Sequence, residues 1–469
     1  MSGTAESRSA WAWTVPAAVF AVVLVAQLWL VAAAGTDIPF QDQWDAEGRG
    51  LYPAWSGGTL RAADFFRAHN EHRIGWTKAL DVALFKVNGQ WDPLVQLTAN
   101  ALVRASAAAL LAWLLARGAS ATGRVVTAAA VAVAFLPQLA WHNALWGFQS
   151  QVYFALLFSV LALASLGARA PSGRRQLAGL AAGIAAILAM GAGGLVPVAL
   201  GGVVALRAVE ERRFGRARWS EAWPALVLLA VAVALRAEVS EHAALGAHSA
   251  AEFFSALGRV LAWPHVDQPL AALALNLPLV LLVVTRAMRR RAAAAGEDFV
   301  LLLGGWAMAN GVAAAWARGG GAELATGVPS RYVDFLVLLP LANAWAVFAL
   351  VRNVGARERW RVAGRAVAGG WGLFLFVGWL GLSAQMMRGV ILPRVRDRDA
   401  PVRLAVKFQA TGDAAVFAGQ PRLLVPHPDL DAVRAVLGDP RMAGRLPPSL
   451  QPDKPMGPLS RAARWVLGR

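Results

Sequence analysis

The stretch WTVPAAVFAVVLVAQLWLVAAA, residues 13–34, decides the fold, because it carries no charged residue and a helix of about 20 apolar residues crosses a bilayer. Further apolar runs follow it, and the chain is 57% hydrophobic with a mean hydropathy of +0.49. The predicted spans are residues 13–34, 94–116, 125–141, 151–168, 177–190, 193–206, 219–236, 268–286, 298–317, 332–351 and 365–385. The sequence therefore predicts an all-α polytopic membrane protein with about eleven transmembrane helices.

Residues 177–206 fit either one long helix or two short ones that break at the Gly-rich stretch 191–194. Lys and Arg favour cytoplasmic connectors. The broken version keeps the later basic clusters in the cytoplasm, at residues 207–218, 286–291 and 352–365. Because each short helix reaches only about 21 Å, a hairpin shielded by its neighbours is an alternative to two full crossings. We therefore predict a cytoplasmic amino terminus and an extracytoplasmic carboxyl terminus.

The composition excludes other classes of protein. The chain has no Cys, so it has neither a disulfide framework nor a thiolate metal site. Its net charge of +17 comes mostly from basic residues that flank the apolar spans, where they set topology and contact anionic lipid. We therefore expect membrane lipids, and no nucleic acid, among its partners. The first span is longer than the usual signal-peptide core of about 7 to 15 residues, which favours an uncleaved anchor over a signal peptide.

Acidic residues gather just after the first span, in FQDQWDAEG at residues 40–48. A charge costs roughly 2.5 to 3.5 kcal/mol at a bilayer centre but little at its edge, so carboxylates at a membrane exit favour a chemical role. In a helical turn Asp42 and Asp45 share a face, where one acts as general base and the other orients it. Glu47 follows two residues after Asp45. The alternative is a solvated acidic loop, or an Asp that caps a helix.

The same outer loop, residues 35–93, contains HNEHR at residues 69–73. We expect His69, Glu71 and His72 to hydrogen-bond a polar substrate and Arg73 to hold a phosphate. Two alternatives remain open: a divalent metal held by the two His residues and a carboxylate, and a surface salt-bridge cluster. The pattern of residues 60–73 predicts a helix. From residue 76 onward, apolar residues at helical spacing predict a second helix, which is amphipathic and lies on the membrane.

Aromatic and amide side chains recur at the next outer turn, in WHNALWGFQSQ at residues 141–151. Trp rings are common at membrane interfaces, but that role leaves the neighbouring polar residues unexplained. Rings beside imidazole and amide donors suit a sugar, which presents an apolar face and a rim of hydroxyls. The candidate contacts are His142, Asn143, Trp146 and Gln149.

A late outer segment, VPSRYVDF at residues 328–335, places Arg331 and Tyr332 at the start of a span. An Arg on the outer side runs against the positive-inside tendency, which favours a functional role. A lipid phosphate or pyrophosphate is its natural partner. The alternative is an Arg that extends its side chain to the lipid headgroups.

Together these segments resemble bacterial members of the GT-C glycosyltransferase superfamily, of the protein mannosyltransferase and aminoarabinose transferase type. The resemblance covers roughly residues 12–385 and implies an enzyme that transfers a sugar from a polyprenyl-phosphate donor to a glycan, lipid or protein acceptor outside the cytoplasm. It places the catalytic base at Asp42 or Asp45, with Glu47 as the reserve candidate, and the donor phosphate at Arg331, with Arg73 as a second clamp. The superfamily has members with and without a divalent metal, so a metal cofactor stays open. The localisation implied is a bacterial inner membrane.

Two further functions stay open. A transporter of lipid-linked saccharides places ionisable residues near mid-bilayer and often has internal repeats, whereas here Asp and Glu are nearly absent from the span interiors and no repeat is evident. A non-catalytic envelope-assembly protein is the second. The chain divides into a transmembrane part, residues 1–385, and a polar region, residues 386–469, in which residues 429–437 predict a helix and residues 422–426 a strand.

Overall fold

The computed structural model describes residues 3–211, 216–289, 296–352 and 358–469, which are almost entirely helical. The α-helices are α1 (Gly3–Ala34), α2 (Tyr52–Ser56), α3 (Ala62–Phe66), α4 (Gly75–Asn88), α5 (Pro93–Leu115), α6 (Ala121–Ala134), α7 (Trp141–Ala144), α8 (Ser150–Leu166), α9 (Gly173–Ile187), α10 (Val196–Glu211), α11 (Arg216–Ala234), α12 (Ala250–Leu261), α13 (Ala271–Arg289), α14 (Glu297–Arg318), α15 (Ala322–Thr326), α16 (Val333–Leu336), α17 (Leu338–Arg352), α18 (Glu358–Met386), α19 (Leu392–Arg396), α20 (Ala400–Thr411), α21 (Leu430–Leu437) and α22 (Pro458–Val466). A π-helical segment, Gln43–Leu51, precedes α2, and the antiparallel strands β1 (Ala68–His69) and β2 (His72–Arg73) precede α4.

Eight helical stretches among the described residues are long and apolar enough to cross a membrane. They are Trp13–Ala34, Pro93–Leu115, Gly147–Leu166, Gly191–Glu211, Ala271–Met288, Glu297–Arg318, Ser330–Arg352 and Glu358–Arg396. Two shorter apolar helices, Ala121–Ala134 and Trp219–Ala234, accompany them. The prediction of an all-α, multi-pass membrane protein is therefore confirmed.

The connectors between these helices gather at two opposite ends of the bundle. At one end, here called the loop end, residues 35–92 bond to the connectors at 135–149, 188–195 and 235–270 and to the region from 387 onward, and His142 bonds to Ser330 of the connector at 319–332. For example, Gly75 N donates to the Leu188 carbonyl at 2.9 Å, and Gln41 N donates to the Pro426 carbonyl at 2.6 Å. At the other end, Arg207 forms ion pairs with Glu221 and Asp298, each at 2.8 Å.

The predicted break within residues 177–206 is present. Helix α9 ends at Ile187, a 3-10 turn spans Gly191–Leu195, and α10 begins at Val196. A Cβ atom at Gly193 would lie 2.2 Å from main-chain atoms of Ala186, so the chain folds back at a distance that only Gly permits. The glycines that mark the break in the sequence therefore also allow the close packing of the turn on α9.

Helix α4 is amphipathic in the predicted sense. Trp76 and Val87 on its apolar side are 40% and 60% exposed, which leaves that side free for lipid. Its polar side is buried in protein, where Lys78 donates to two main-chain carbonyls and Asn88 bonds to Ser460. The loop that contains α4, residues 35–92, is thus anchored through both sides of this helix.

The loop of residues 35–92 and the carboxyl-terminal region share one hydrophobic core, in which Trp44, Tyr52 and Trp91 of the loop pack with Phe408 and Val436. We call residues 35–92 together with 400–469 the loop platform. Polar contacts join its two parts as well, since the carboxylate of Asp37 accepts hydrogen bonds from Ser449 and Arg464. Helix α21 lies where the sequence predicts it, with Asp429 capping its first turn and Gly438 at its end.

Three local predictions are wrong. The helix predicted for residues 60–73 ends at Phe66, because Asn70 adopts a left-handed backbone (φ 50°) and turns the chain into the β1 and β2 hairpin. The strand predicted for residues 422–426 is a 3-10 turn, Arg422–Leu424. The span predicted for residues 125–141 ends at Ala134, ahead of Pro137, which cannot continue a helix. Within the predicted basic clusters, residues 212–215, 290–291 and 353–357 lie outside the described residues.

Candidate functional site

The π-helical segment Gln43–Leu51 carries most of the acidic motif, and Trp44 fixes it in place. The indole of Trp44 is 1% exposed, and its Nε1 donates to the Pro39 carbonyl at 2.8 Å. Gln41, just before the segment, has a left-handed backbone (φ 49°), so the chain turns sharply there. The three carboxylates of the motif lie in three different surroundings, so they differ in their ability to take up a proton and to meet a ligand.

Asp45 forms an ion pair with the carboxyl-terminal region. His427 Nε2 lies 2.9 Å from one of its oxygens, and Arg49 Nη1 lies 3.3 Å from the other. The hydrogen bond from His427 holds the pKa of Asp45 below its usual value. Burial alone would lower the pKa of His427, but its bond to Asp45 raises that pKa overall. A carboxylate engaged in this way is a weak base, so Asp45 is poorly suited to proton abstraction.

Glu47 points into the loop platform and is 1% exposed. Its Oε2 accepts hydrogen bonds from Gln43, Tyr52, Trp91 and Gln96, at 3.4, 3.2, 2.9 and 2.8 Å. Burial raises the pKa of Glu47 to about 7. Because protein encloses this carboxylate, it is not placed to meet a substrate hydroxyl.

Asp42 precedes the π-helical segment, and its side chain caps no backbone N–H. The side chain is 34% exposed, and one oxygen lies 3.9 Å from His69 Nε2. The ring of His69, at the end of β1, meets Phe148 edge-on at 5.2 Å. Its Nε2 is buried and makes no hydrogen bond with the described residues. Asp42 is thus the carboxylate of the motif that remains available to a ligand.

His142 lies among aromatic rings, most of them from its own segment, residues 141–151. Its ring stacks on Trp141 and Trp146 at centroid distances of 5.1 and 5.0 Å, and Phe40 meets it edge-on at 6.1 Å. Trp146 Nε1 donates to the Phe40 carbonyl at 2.8 Å, which joins this aromatic group to the acidic motif. The aromatic segment at residues 141–151 and the loop of residues 35–92 are therefore in direct contact.

Charged groups surround the His142 ring. Burial, together with the positive charges of Arg331 and Arg394, lowers the pKa of His142 to about 3, although the charges of Glu323 and Asp42 oppose the shift. The imidazole is therefore neutral, and within the described part of the chain its buried Nε2 has no hydrogen-bond partner. A buried polar atom without a partner is expected to meet a bound polar group or water.

The two guanidiniums near His142 differ in their partners. Arg331 bonds to the Glu323 carboxylate and lies over the ring of Tyr332, 5.2 Å from its centroid. Arg394 lies over the ring of Trp141, at 5.7 Å, and no carboxylate of the described residues is within ion-pairing distance of it. Arg394 is thus the better placed of the two to receive an anion. We call Asp42, His69, His142, Arg331 and Arg394 the loop-end cluster.

A buried ion pair joins the segments that carry this cluster. Arg104 Nε donates to Asp334 at 2.8 Å, and both side chains are 0% exposed. Asn143 donates to the other oxygen of Asp334 at 2.8 Å and to the Arg331 carbonyl at 3.0 Å. Asn143 therefore positions the backbone of Arg331. Gln149 is 4% exposed, and none of the described hydrogen bonds links its side chain to the cluster.

The Glu71 carboxylate bonds to other parts of the loop end. Its partners are Arg318 Nη2 at 2.6 Å and His242 Nδ1 at 2.5 Å. Burial alone would raise the pKa of Glu71, but the hydrogen bond from Arg318 and the other partners hold that pKa at about 2. Glu71 thus fastens the hairpin to the end of α14 and to the 3-10 turn Ser240–Leu245.

Of the other two candidate residues in HNEHR, Arg73 is engaged in the fold, and His72 is buried with its Nδ1 unbonded among the described residues. Arg73 donates to the main-chain carbonyls of Leu235 and Phe66, at 2.9 and 2.6 Å. Burial lowers the pKa of His72, and its Nδ1 lies against Gly191, where an added Cβ atom would come within 3.0 Å. Of the HNEHR residues, His69 alone belongs to the loop-end cluster. No group of three or more His, Asp or Glu among the described residues is arranged to hold a metal ion.

Sequence reasoning missed Arg104, Arg394 and His427. Arg104 had a usable signal, because an ionisable residue inside a predicted span is usually paired and functional. Arg394 and His427 lie in a polar region where nothing local distinguishes them. Comparisons with protein-family models, with curated proteins and with solved structures find no match to this chain.

Proposed function

We propose that the protein is an integral membrane glycosyltransferase that moves a sugar from a polyprenyl-phosphate donor to a glycan, lipid or protein acceptor outside the cytoplasm. The loop-end cluster carries the proposal. It combines an available carboxylate, two imidazole nitrogens without partners among the described residues, and two guanidiniums. Sugar transfer from a phosphate needs a base, groups that bond sugar hydroxyls, and cations for the leaving phosphate.

Asp42 is the proposed general base. It is partly exposed and its nearest basic partner is His69, at 3.9 Å. Asp45 is less suitable because its bonds to His427 and Arg49 lower its pKa and so make it a weaker base. Glu47 is less suitable because it is enclosed in the loop platform. The choice that the sequence leaves open between the carboxylates thus falls on Asp42.

Arg394 and Arg331 are the proposed ligands of the donor phosphate. A guanidinium without a carboxylate partner binds an anion without first breaking an ion pair, which favours Arg394 for the first contact. The bond from Arg331 to Glu323 orients its side chain, and Asn143 positions its backbone. Arg73, the second clamp implied by the family resemblance, is engaged with main-chain carbonyls and has no part in this proposal.

The proposed reaction is a single displacement. The acceptor hydroxyl gives its proton to Asp42, its oxygen forms a bond to the anomeric carbon, and the bond from that carbon to the phosphate oxygen breaks with inversion. The polyprenyl phosphate leaves with the electron pair, and the guanidiniums stabilise its charge. Neutral His142 bonds a sugar hydroxyl through Nε2, and the indoles of Trp141 and Trp146 that stack on its ring hold the imidazole in place.

For the topology we propose eleven crossings, with α9 and the two shorter apolar helices added to the eight long ones. The amino terminus lies in the cytoplasm of a bacterial inner membrane, and the loop end faces away from it. The distribution of basic residues supports this orientation, since the clusters that begin at Arg207 and Arg286 belong to the end opposite the loop platform.

The test measures transfer from a labelled polyprenyl-phosphate sugar pool to envelope glycans by membranes that contain the full-length protein. Asp42→Asn is expected to lower the rate by about 10² to 10⁴-fold, the usual contribution of general-base catalysis. Arg394→Gln is expected to weaken donor binding. Asp453→Asn, which alters an exposed carboxylate of the carboxyl-terminal region, is the matched control.

Transfer at the full rate by Asp42→Asn would overturn the assignment of the base. Absence of transfer by the wild type, with movement of donor across vesicles, would support transport of lipid-linked saccharides. Donor binding without transfer or movement would support a role in envelope assembly.

A further inference from the structure

A second pair of acidic residues lies inside the loop platform, apart from the loop-end cluster. Glu47 of the π-helical segment and Asp81 of α4 are each 1% exposed. The side-chain amide of Gln96, on α5, bridges them: its Nε2 donates to Glu47 Oε2 and to Asp81 Oδ1, both at 2.8 Å. The amide has two hydrogens, so it serves both carboxyl groups at once.

No positive charge compensates this pair. The titratable groups that face Glu47 are Tyr52 from α2 and Asp81 from α4, and the described residues place no Lys, Arg or His in contact with either carboxyl group. Helix α21 contributes an apolar side chain to this region, since Val436 packs beside Gly48. Two ionised carboxylates in such surroundings would be costly, because buried charges need a compensating partner.

The hydrogen bonds indicate the order in which the two groups ionise. Glu47 Oε2 accepts from four donors, which favour its charged form, whereas Gln96 is the single donor to Asp81 among the described residues. Burial and the nearby charge of Glu47 raise the pKa of Asp81 well above its usual value. Asp81 therefore keeps its proton longer, and Glu47 ionises first.

We propose that Glu47 and Asp81 form a proton-binding pair that holds the π-helical segment against α4 and α5, and that loss of protons from the pair loosens this contact. The same segment follows directly from Asp42 and carries Asp45. Proton loss therefore changes the position of the acidic motif, which makes the loop-end cluster sensitive to pH. The inference concerns the platform itself, so it stands whether or not the protein transfers sugar.

The proposal fixes the direction of a pH effect. Both groups hold protons more tightly in the folded protein than in the unfolded chain, so the stability that they contribute is full at acidic pH. It falls as the pH rises from the unfolded pKa of Glu47, 4.5, through its folded value of about 7. The wild-type melting temperature is thus expected to fall between about pH 5 and about pH 8, beyond the trend of the control.

The experiment combines infrared spectroscopy with thermal unfolding of the full-length protein in detergent. The carbonyl stretch of a protonated carboxylic acid is expected in the wild type at neutral pH. Glu47→Gln should remove the part of this band that titrates near neutrality and flatten the dependence of melting temperature on pH. Asp81→Asn should remove the part that persists at higher pH. Asp431→Asn, an 84% exposed carboxylate, should change neither.

The wild-type infrared titration needs no variant, so the proposal can fail even where a variant does not fold. A wild type without a protonated-carboxyl band at neutral pH would overturn it. So would a Glu47→Gln variant whose melting temperature depends on pH as steeply as that of the wild type.

Discussion

Breaking the buried ion pair between Arg104 and Asp334 is expected to destabilise the helical bundle strongly. The two side chains are 0% exposed and 2.8 Å apart, and they connect α5 with α16. The perturbation is a closed cycle of three variants: Arg104→Met, Asp334→Asn, and both together. Each single variant leaves one buried charge without its partner, whereas the double variant removes both charges.

The magnitudes follow from the partners that remain. In Asp334→Asn the guanidinium keeps a bond to the Phe135 carbonyl but loses its counter-charge, for which we expect a loss of about 3 to 5 kcal/mol. In Arg104→Met the carboxylate keeps the hydrogen bond from Asn143, so about 3 kcal/mol is expected. The double variant leaves no uncompensated charge, and we expect it to lose less than either single variant, about 1 to 2 kcal/mol.

The assay is unfolding of the purified full-length protein by titration with a denaturing detergent. A matched control is the pair of Arg236 and Glu238, which are similarly close at 2.9 Å but have exposed side chains, at 73% and 74%. Its cycle, Arg236→Met with Glu238→Gln, is expected to give less than about 1 kcal/mol. Single losses at Arg104 and Asp334 that are equally small, or that simply add in the double variant, would refute the reasoning.

Two further predictions concern the platform and the helix break. His427→Gln should lower the melting temperature more at about pH 5.5 than at about pH 9. The pairing with Asp45 needs a charged imidazole, so it is lost as the pH rises through the raised pKa of His427. Because Asp45 is 37% exposed, the effect is about 1 kcal/mol or less. An equal loss at both pH values would contradict it. Gly193→Ala should destabilise the protein by about 3 kcal/mol or more, because its Cβ atom would meet main-chain atoms at 2.2 Å. The control is Gly201→Ala, in open space on α10, which should be neutral or slightly stabilising in the same melting assay. Similar losses in both variants would show that the close packing at Gly193 carries no cost.

The membrane-spanning helices could be predicted because their signal is local. The first span at residues 13–34 matches the observed Trp13–Ala34, and the break near Gly191 lies where the distribution of basic residues required it. Helix α21 was predicted from its cap and its terminal Gly. In each case a short stretch contains the cause, which is either the transfer of apolar side chains into lipid or the chemistry of a helix end.

The sequence by itself thus determined the helical class, most of the spans and the segments in which function is to be sought. Only the tertiary structure separated the carboxylates of the acidic motif, with Asp45 paired to His427 and Glu47 buried beside Gln96. The same holds for Arg394, whose position over Trp141 no neighbouring residue predicts. The physical reason is that exposure and charge pairing depend on side chains from distant parts of the chain, which meet only when the loop platform and the bundle pack together.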